Sequence, residues 1–198
     1  MTYPVVYLTG APATGKSSVA ARLKDMVPSL HVFSYGEELT RYLNRKNLTG
    51  ISQDDLRTES AGLASSKDID ALDLELLSLV ERERACRPIL IDSHAVTKEG
   101  YGFRVTPFSM EMLKTLNPTQ IVALFASPEV TIGRIEKAPG GRQKITPFES
   151  GYHTCLQSMV AITYSIGLGL PLHLLDSDRD LDLIAGWLRD RISHEIHP

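Results

Sequence analysis

The chain has 198 residues, of which 42% are hydrophobic and 23% charged, and 21 Lys and Arg set against 24 Asp and Glu leave a formal net charge of −3. That is a one-domain length with room for a full core, and the balance excludes intrinsic disorder, collagen-like repeats, broad nucleic-acid backbone binding and a polybasic membrane surface. Cys86 and Cys155 sit near no paired Cys or His motif, so a zinc site built on them is excluded, and two reduced, partly buried thiols are expected rather than a disulfide.

Taken in chain order, five short apolar runs bounded by turn residues are predicted strands: Val5–Thr9, Leu30–Ser34, Ile89–Asp92, Gln120–Ala126 and Pro171–Asp176. Each is continuously apolar rather than alternating, the pattern of strands buried on both faces of a parallel sheet. Helical periodicity lies between them over Lys16–Met26, Glu37–Lys46, Asp68–Ala85, Ser109–Leu116, Glu129–Glu136, Glu149–Ile166 and Leu181–Ile192. In Asp68–Ala85 the stripe is clearest, with Ile69, Leu72, Leu76, Leu79 and Val80 on one side and charges opposite. Strands alternating with helices predict a doubly wound α/β fold, a single domain over residues 1–198, with right-handed crossovers.

Two segments exceed that rhythm. Residues 36–87 carry more helix than a crossover needs, and Lys137–Pro147 reads Lys-Ala-Pro-Gly-Gly-Arg-Gln-Lys-Ile-Thr-Pro, a cationic Gly- and Pro-rich loop of the kind that is functional, mobile or a plain surface connection. The first run leads from Met1 into Gly10 with no basic flank, and Met159–Leu175 is interrupted by Thr163, Ser165, Gly167, Gly169 and Pro171. Neither a signal peptide nor a membrane span is expected, and the reading is a soluble cytoplasmic protein.

The chemistry is concentrated at Gly10-Ala11-Pro12-Ala13-Thr14-Gly15-Lys16-Ser17, which fills every fixed position of G-x-x-x-x-G-K-[ST] between a predicted strand and a predicted helix. Glycines let successive N–H groups turn inward onto phosphate oxygens, and the helix start adds its positive dipole end. Lys16 is expected to reach the β- and γ-phosphates, and the Ser17 hydroxyl to ligate Mg²⁺. Asp92 ends an apolar strand, the place from which an acid holds Mg²⁺ through water; an Asp capping a turn is the alternative. His94, two residues on, is either a substrate contact or a packed histidine.

A GTPase would show N-K-x-D and D-x-x-G signatures, and neither occurs; a hexameric remodelling ATPase needs a further helical domain and more length. The small kinases remain, and these need arginines that can move onto the transferred phosphoryl group. Arg134 at a predicted helix end and Arg142 beside Gly140 and Gly141 supply them.

Over most of its length the sequence resembles the archaeal-type adenylate kinases, a branch of the nucleoside monophosphate kinases. The resemblance is carried by the Gly10–Ser17 loop, Tyr35-Gly36 after the second strand, Asp54-Asp55-Leu56-Arg57, Ile91-Asp92-Ser93-His94 with Lys98 and Gly100-Tyr101, Arg134 with Arg142, and Tyr152-His153 through Ala161-Ile162-Thr163-Tyr164. It implies a P-loop kinase fold with a five-stranded parallel sheet flanked by helices, an acceptor-binding helical insert at about 36–87 and a short lid at about 137–147. ATP would lie on Gly10–Ser18 with its base near Asp176–Arg179. A small-molecule acceptor, AMP first, would meet Gly36, Arg57, His94 and Arg104. No nucleic-acid or membrane partner is implied. Acceptor pockets are grafted onto this fold, so a nucleoside, sugar acid or antibiotic acceptor stays open, as does a nucleotide-binding regulator with slow ATPase activity.

Overall fold

A computed structural model of the chain describes residues 2–47, 50–52, 55, 62–138 and 143–193. Five strands, β1 (Val5–Gly10), β2 (His31–Ser34), β3 (Ile89–Asp92), β6 (Gln120–Phe125) and β7 (Leu172–Asp176), form one sheet in the order β2-β3-β1-β6-β7, every neighbouring pair parallel. The helices are α1 (Lys16–Met26), α2 (Tyr35–Asn47), α3 (Ser66–Glu83), α4 (Met110–Leu116), α5 (Pro128–Lys137), α6 (Pro147–Leu168) and α7 (Leu181–Ile192). This is the doubly wound α/β fold that the alternating pattern predicts.

Alternation along β1 divides the core. Val5 and Tyr7 face one layer, where Leu43, Leu72, Leu76, Leu113 and Tyr164 of the α2, α3, α4 and α6 helices pack. Val6 and Leu8 face the other, filled by Val19 and Leu23 of α1 and Ile184, Leu188 and Ile192 of α7. Both faces of the central strands are thus covered, which is why their sequences are apolar without alternation. Parallel register sets Leu8 and Ser34 beside Asp92, so the carboxyl ends of β1, β2 and β3 open on one edge. In such sheets that edge is where ligands bind.

The structure departs from the sequence reading in three places. Residues 96–105 form an antiparallel hairpin, β4 (Val96–Glu99) and β5 (Gly102–Val105), where no strands are predicted. A lone two-stranded hairpin is marginal in water, and this one is held from outside: the Gln157 side-chain oxygen accepts from Val96 N–H at 3.1 Å while His153 Nε2–H donates to the Val96 carbonyl at 2.9 Å. Both cysteines are exposed rather than partly buried. Cys86 lies in the turn after α3, and Cys155 is on the outer face of α6. Third, α2 starts directly at the end of β2 and already includes Tyr35 and Gly36.

Within the insert, α2 and α3 are tied by polar contacts across their crossing. The Tyr35 hydroxyl donates to Asp73 at 2.8 Å and the Lys46 ammonium to Asp68 at 2.6 Å. Asp68 closes a reciprocal cap with Ser65 at the start of α3. The Lys46 ammonium and the Ser65 hydroxyl hold its carboxyl down to about 2, against the desolvation that opposes ionisation. A carboxyl depressed on folding stabilises the native state above its ordinary value, 3.8, and loses that contribution as pH falls toward 2. The Asp68→Asn protein should therefore be less stable near neutral pH, and its stability should fall less steeply than that of the parent between about pH 4 and pH 2. Urea unfolding at stepped pH measures both, and equal acid slopes would remove Asp68 from the account.

Candidate functional site

The turn from β1 into α1 is built to leave backbone donors open. Gly15 precedes the helix in the left-handed region at φ 87°, no side chain caps the helix start, and its first turn holds no acid. The first N–H groups therefore have no side-chain partner and sit at the positive end of the helix dipole, an anion site by construction. Ala13 also has positive φ, 64°. Gly10 is required by space as well as by its φ of 151°, since a Cβ there would come within 2.6 Å of the Leu124 carbonyl oxygen and 2.7 Å of the Thr14 hydroxyl. Thr14 is buried and its hydroxyl donates to the Ala11 carbonyl at 2.7 Å, closing the loop on itself.

Lys16 folds back over this loop. The residue is 9% exposed, and its ammonium donates to the Gly10 carbonyl at 2.8 Å and the Ala11 carbonyl at 3.4 Å. Asp92 is buried nearby; burial pushes its carboxyl up, the Lys16 ammonium draws it down, and Glu37 pushes it up again. Ser17 and Ser18 are exposed at the mouth of the loop. A buried carboxylate and an exposed hydroxyl are hard oxygen donors of the kind Mg²⁺ takes when phosphate and water complete its shell. Among the described residues no group of three or more His, Cys, Asp or Glu comes together as a self-sufficient metal cluster.

One cleft of about 690 Å³ joins the phosphate loop to the insert. Its lining includes five cationic side chains, Lys16, Lys98, Arg104, Arg134 and Arg179, against two acids, Glu37 and Asp92. An overall acidic chain thus concentrates positive charge where an anion would enter. Gly36, His94, Arg104 and Arg134 all reach this cleft, as do Ser17, Ser18 and the stretch from Ala11 to Ala13. Arg134 is turned across the loop: it donates to the Ala13 carbonyl at 3.3 Å and to the Ser177 hydroxyl and carbonyl at 3.0 and 2.7 Å. It thereby links the phosphate loop to the segment after β7. Arg57 and Arg142 lie outside the described residues.

Several residues to which the sequence reading assigns no role also shape the site. The Gln157 amide, besides holding Val96, donates to the Thr9 hydroxyl at 2.8 Å, and the Tyr164 hydroxyl accepts from Phe108 N–H at 2.7 Å. Tyr7, with its phenol pushed up to about 12 by burial, lies beside Thr9 and Ser93. Burial lowers the pKa of His153, which keeps the ring neutral with Nε2–H donating. The Lys98 ammonium pairs with Glu149 at 2.9 Å. Glu149 in turn caps the start of α6 through the Thr146 N–H and hydroxyl, and its carboxyl is held down to about 2 by the Thr146 N–H first, then Lys98. The available signal was the pair His153 and Gln157, four apart and therefore on one face of the helix.

Fold and cleft together define a P-loop kinase. A family model described as AAA domain matches residues 9–148, and the chain belongs to that family. The match runs from the end of β1 through the insert and the hairpin to the first turn of α6. Two adenylate kinases are similar over 90% of this chain and 89% of their own length, those of Pyrococcus abyssi (strain GE5 / Orsay), 25% identical over 181 residues, and Pyrococcus furiosus, 25% identical over 182. A solved structure from Chloroflexus aurantiacus J-10-fl, provisionally assigned as a kinase, aligns with TM-score 0.58 and 20% identity over 97% of this chain and 100% of that one. A sugar kinase from Janibacter sp. HTCC2649 aligns with TM-score 0.56 and 14% identity, covering 96% and 94%. At these identities the two structures show the shared fold. Among the described residues no helix is long and apolar enough to cross a membrane.

The Gly10→Ala protein should lose about 1–3 kcal/mol of stability, because the added methyl meets backbone on one side and a buried hydroxyl on the other. It should also lose calorimetric binding of a non-hydrolysable ATP analogue under conditions where circular dichroism shows it folded. Undiminished analogue binding would mean that the loop does not need this backbone geometry.

Proposed function

We propose that this protein transfers the γ-phosphoryl group of ATP to a small phosphate-bearing acceptor, and that the acceptor is a nucleoside monophosphate, AMP first. The observation that carries this reading is the single cation-lined cleft shared by the phosphate loop and the walls formed by the insert and the β4–β5 hairpin. Donor and acceptor phosphates would lie in one pocket, as in-line transfer requires. The likeness to adenylate kinases over nine-tenths of the chain supports the same acceptor class.

In this reading the α1 N-terminus and Lys16 hold the β- and γ-phosphates. The Lys16 ammonium exchanges its loop carbonyls for phosphate oxygens, and its charge lowers the barrier as negative charge gathers on the transferred group. Ser17 and Asp92 would hold Mg²⁺, which when bound neutralises and orients the phosphate oxygens. The segment Ser177–Arg179 would flank the donor base, with Arg134 fixing it to the loop. Gly36, His94 and Arg104 would face the acceptor. Arg57 is assigned to the acceptor phosphate and Arg142 to closure of the lid on the strength of the sequence. A second reading, a hydroxyl-bearing acceptor such as a sugar or nucleoside, is favoured by Glu37, which places a carboxylate in the acceptor wall where it would accept from a hydroxyl.

A screen of nucleoside monophosphates, nucleosides, sugars and sugar acids for ADP release tests the proposal, with AMP expected to give the highest turnover. Release of ADP without any acceptor, unaffected by the whole panel, would overturn it in favour of a slow ATPase. In the same assay Lys16→Ala should cost about 3 kcal/mol or more of transition-state stabilisation, a loss of roughly 100-fold or greater. Asp92→Asn should raise the Mg²⁺ midpoint of the reaction while leaving metal-free nucleotide binding nearly intact. An unchanged Mg²⁺ midpoint would reduce Asp92 to a structural residue.

A further inference from the structure

The outer face of α6 carries an exposed apolar seam. Phe148, Tyr152, Cys155, Met159, Ile162 and Ile166 follow one another at alternating intervals of four and three residues, the repeat of a coiled-coil a/d stripe. All six are exposed, Phe148 and Ile166 at 77% and Met159 at 57%. The opposite face holds Ser150, His153, Gln157, Ala161 and Tyr164, all buried against the sheet and the cleft. One helix therefore presents two faces, and among the described residues the outer one is covered only at Tyr152, whose ring meets Phe103 edge-on with centroids 5.7 Å apart.

Charge shows that the outer face is not an ordinary solvated surface. No Lys, Arg, Asp or Glu occurs between Glu149 and Asp176. By contrast α7, also on the surface, carries Asp182, Arg189, Asp190 and Arg191. A solvated helix keeps charges on its outer side, and an apolar stripe of this length is a contact surface.

The seam is also palindromic in its spacing. Laid antiparallel on a second copy about a twofold axis beside Gln157, Phe148 meets Ile166, Tyr152 meets Ile162 and Cys155 meets Met159, and the same three pairs repeat on the other side. That is the self-complementarity an isologous interface requires. Aromatic residues at one end meet aliphatic ones at the other, and the two helix dipoles oppose. With roughly 100 Å² open on each side chain, the six residues offer about 600 Å² per copy and about 1,200 Å² for the pair, which reaches the range of specific interfaces. The Phe148 and Tyr152 rings are already stacked, centroids 5.8 Å apart, so one end of the seam is ordered in advance.

We infer that the outer face of α6 is the self-association surface of this protein, and that its occupant is α6 of a second copy running antiparallel. The inner face of the same helix holds the β4–β5 hairpin and lines the cleft, so the interface braces the active side without blocking it.

Analytical ultracentrifugation of the full chain at tens of micromolar should give twice the chain mass of 21.9 kDa. A Met159→Lys/Ile162→Lys protein should sediment at half that value, with an unchanged circular dichroism spectrum, since neither side chain supports the core. The orientation is tested separately by mild oxidation. In a Cys86→Ser background, Met159→Cys should yield a disulfide-linked dimer on a non-reducing gel, because the new thiol faces Cys155 of the second copy. Cys86→Ser by itself should not, because antiparallel packing sets the two Cys155 residues beyond disulfide reach. A monomeric parent protein, or a dimer indifferent to the two lysines, overturns the interface. Efficient linkage through Cys155 without the second substitution overturns the antiparallel arrangement.

Discussion

The start of α1 is the constraint around which the site is arranged. A helix that begins without a side-chain cap leaves its first N–H groups to something outside the chain. To hold them open the backbone enters the left-handed region at Ala13 and Gly15, conformations that cost free energy unless their surroundings impose them. Those surroundings are specific. The Thr14 hydroxyl is fixed on the Ala11 carbonyl, Gly10 lies against β6 with no room for a side chain, and the Lys16 ammonium spans two loop carbonyls. The strained turn leaves backbone donors open to an anion, and these contacts hold it in place.

A second set of contacts joins the β4–β5 hairpin to the strand that carries the phosphate loop. From α6, Gln157 reaches both Thr9 on β1 and Val96 on the hairpin, His153 holds the other side of Val96, and Tyr164 holds Phe108. The contacts of Gln157 and His153 are buried and that of Tyr164 partly so; in such places an unmatched donor or acceptor costs more than a formed bond contributes. The hairpin that brings Lys98 and Arg104 to the cleft is thus positioned by a helix distant in sequence. The Lys98–Glu149 pair then joins it to the cap at the start of α6.

Electrostatics shows the same division between the whole molecule and the site. The chain is slightly acidic, yet cations predominate in the cleft because residues from α1, β4, β5, α5 and the turn after β7 converge there. Each is separated in sequence from the others, so no local charge cluster announces the site. The insert is handled differently: its two helices are bound to each other by paired charges and a phenol–carboxylate bond, which keeps it a distinct wall.

The sequence by itself determined the elements whose cause is local. The central strands β1, β3 and β6 are legible because burial on both faces forces uninterrupted apolar runs, whereas β2 and β7, expected to be buried likewise, lie at the sheet edges and are only partly covered; α7 and the phosphate loop are legible because periodicity and glycine geometry act over a few residues. Gly10–Ser18 and Asp92 could be chosen from motif and strand-end position, Arg134 from its cationic helix end, and Gly36, His94 and Arg104 from the family resemblance, and the structure brings all of them to or beside one cleft. What only the tertiary structure decided depends on partners far along the chain. The β4–β5 hairpin exists because Gln157 and His153 satisfy its edge, more than fifty residues away. Arg134 is engaged across the loop because Ser177 arrives from the last strand. Cys155 is exposed because α6 turns its polar residues inward and its apolar seam outward, the reverse of what amphipathicity in an isolated chain leads one to expect. Local pattern records which residues prefer burial, and only the packed fold decides which face of a helix meets the protein and which remains for another molecule.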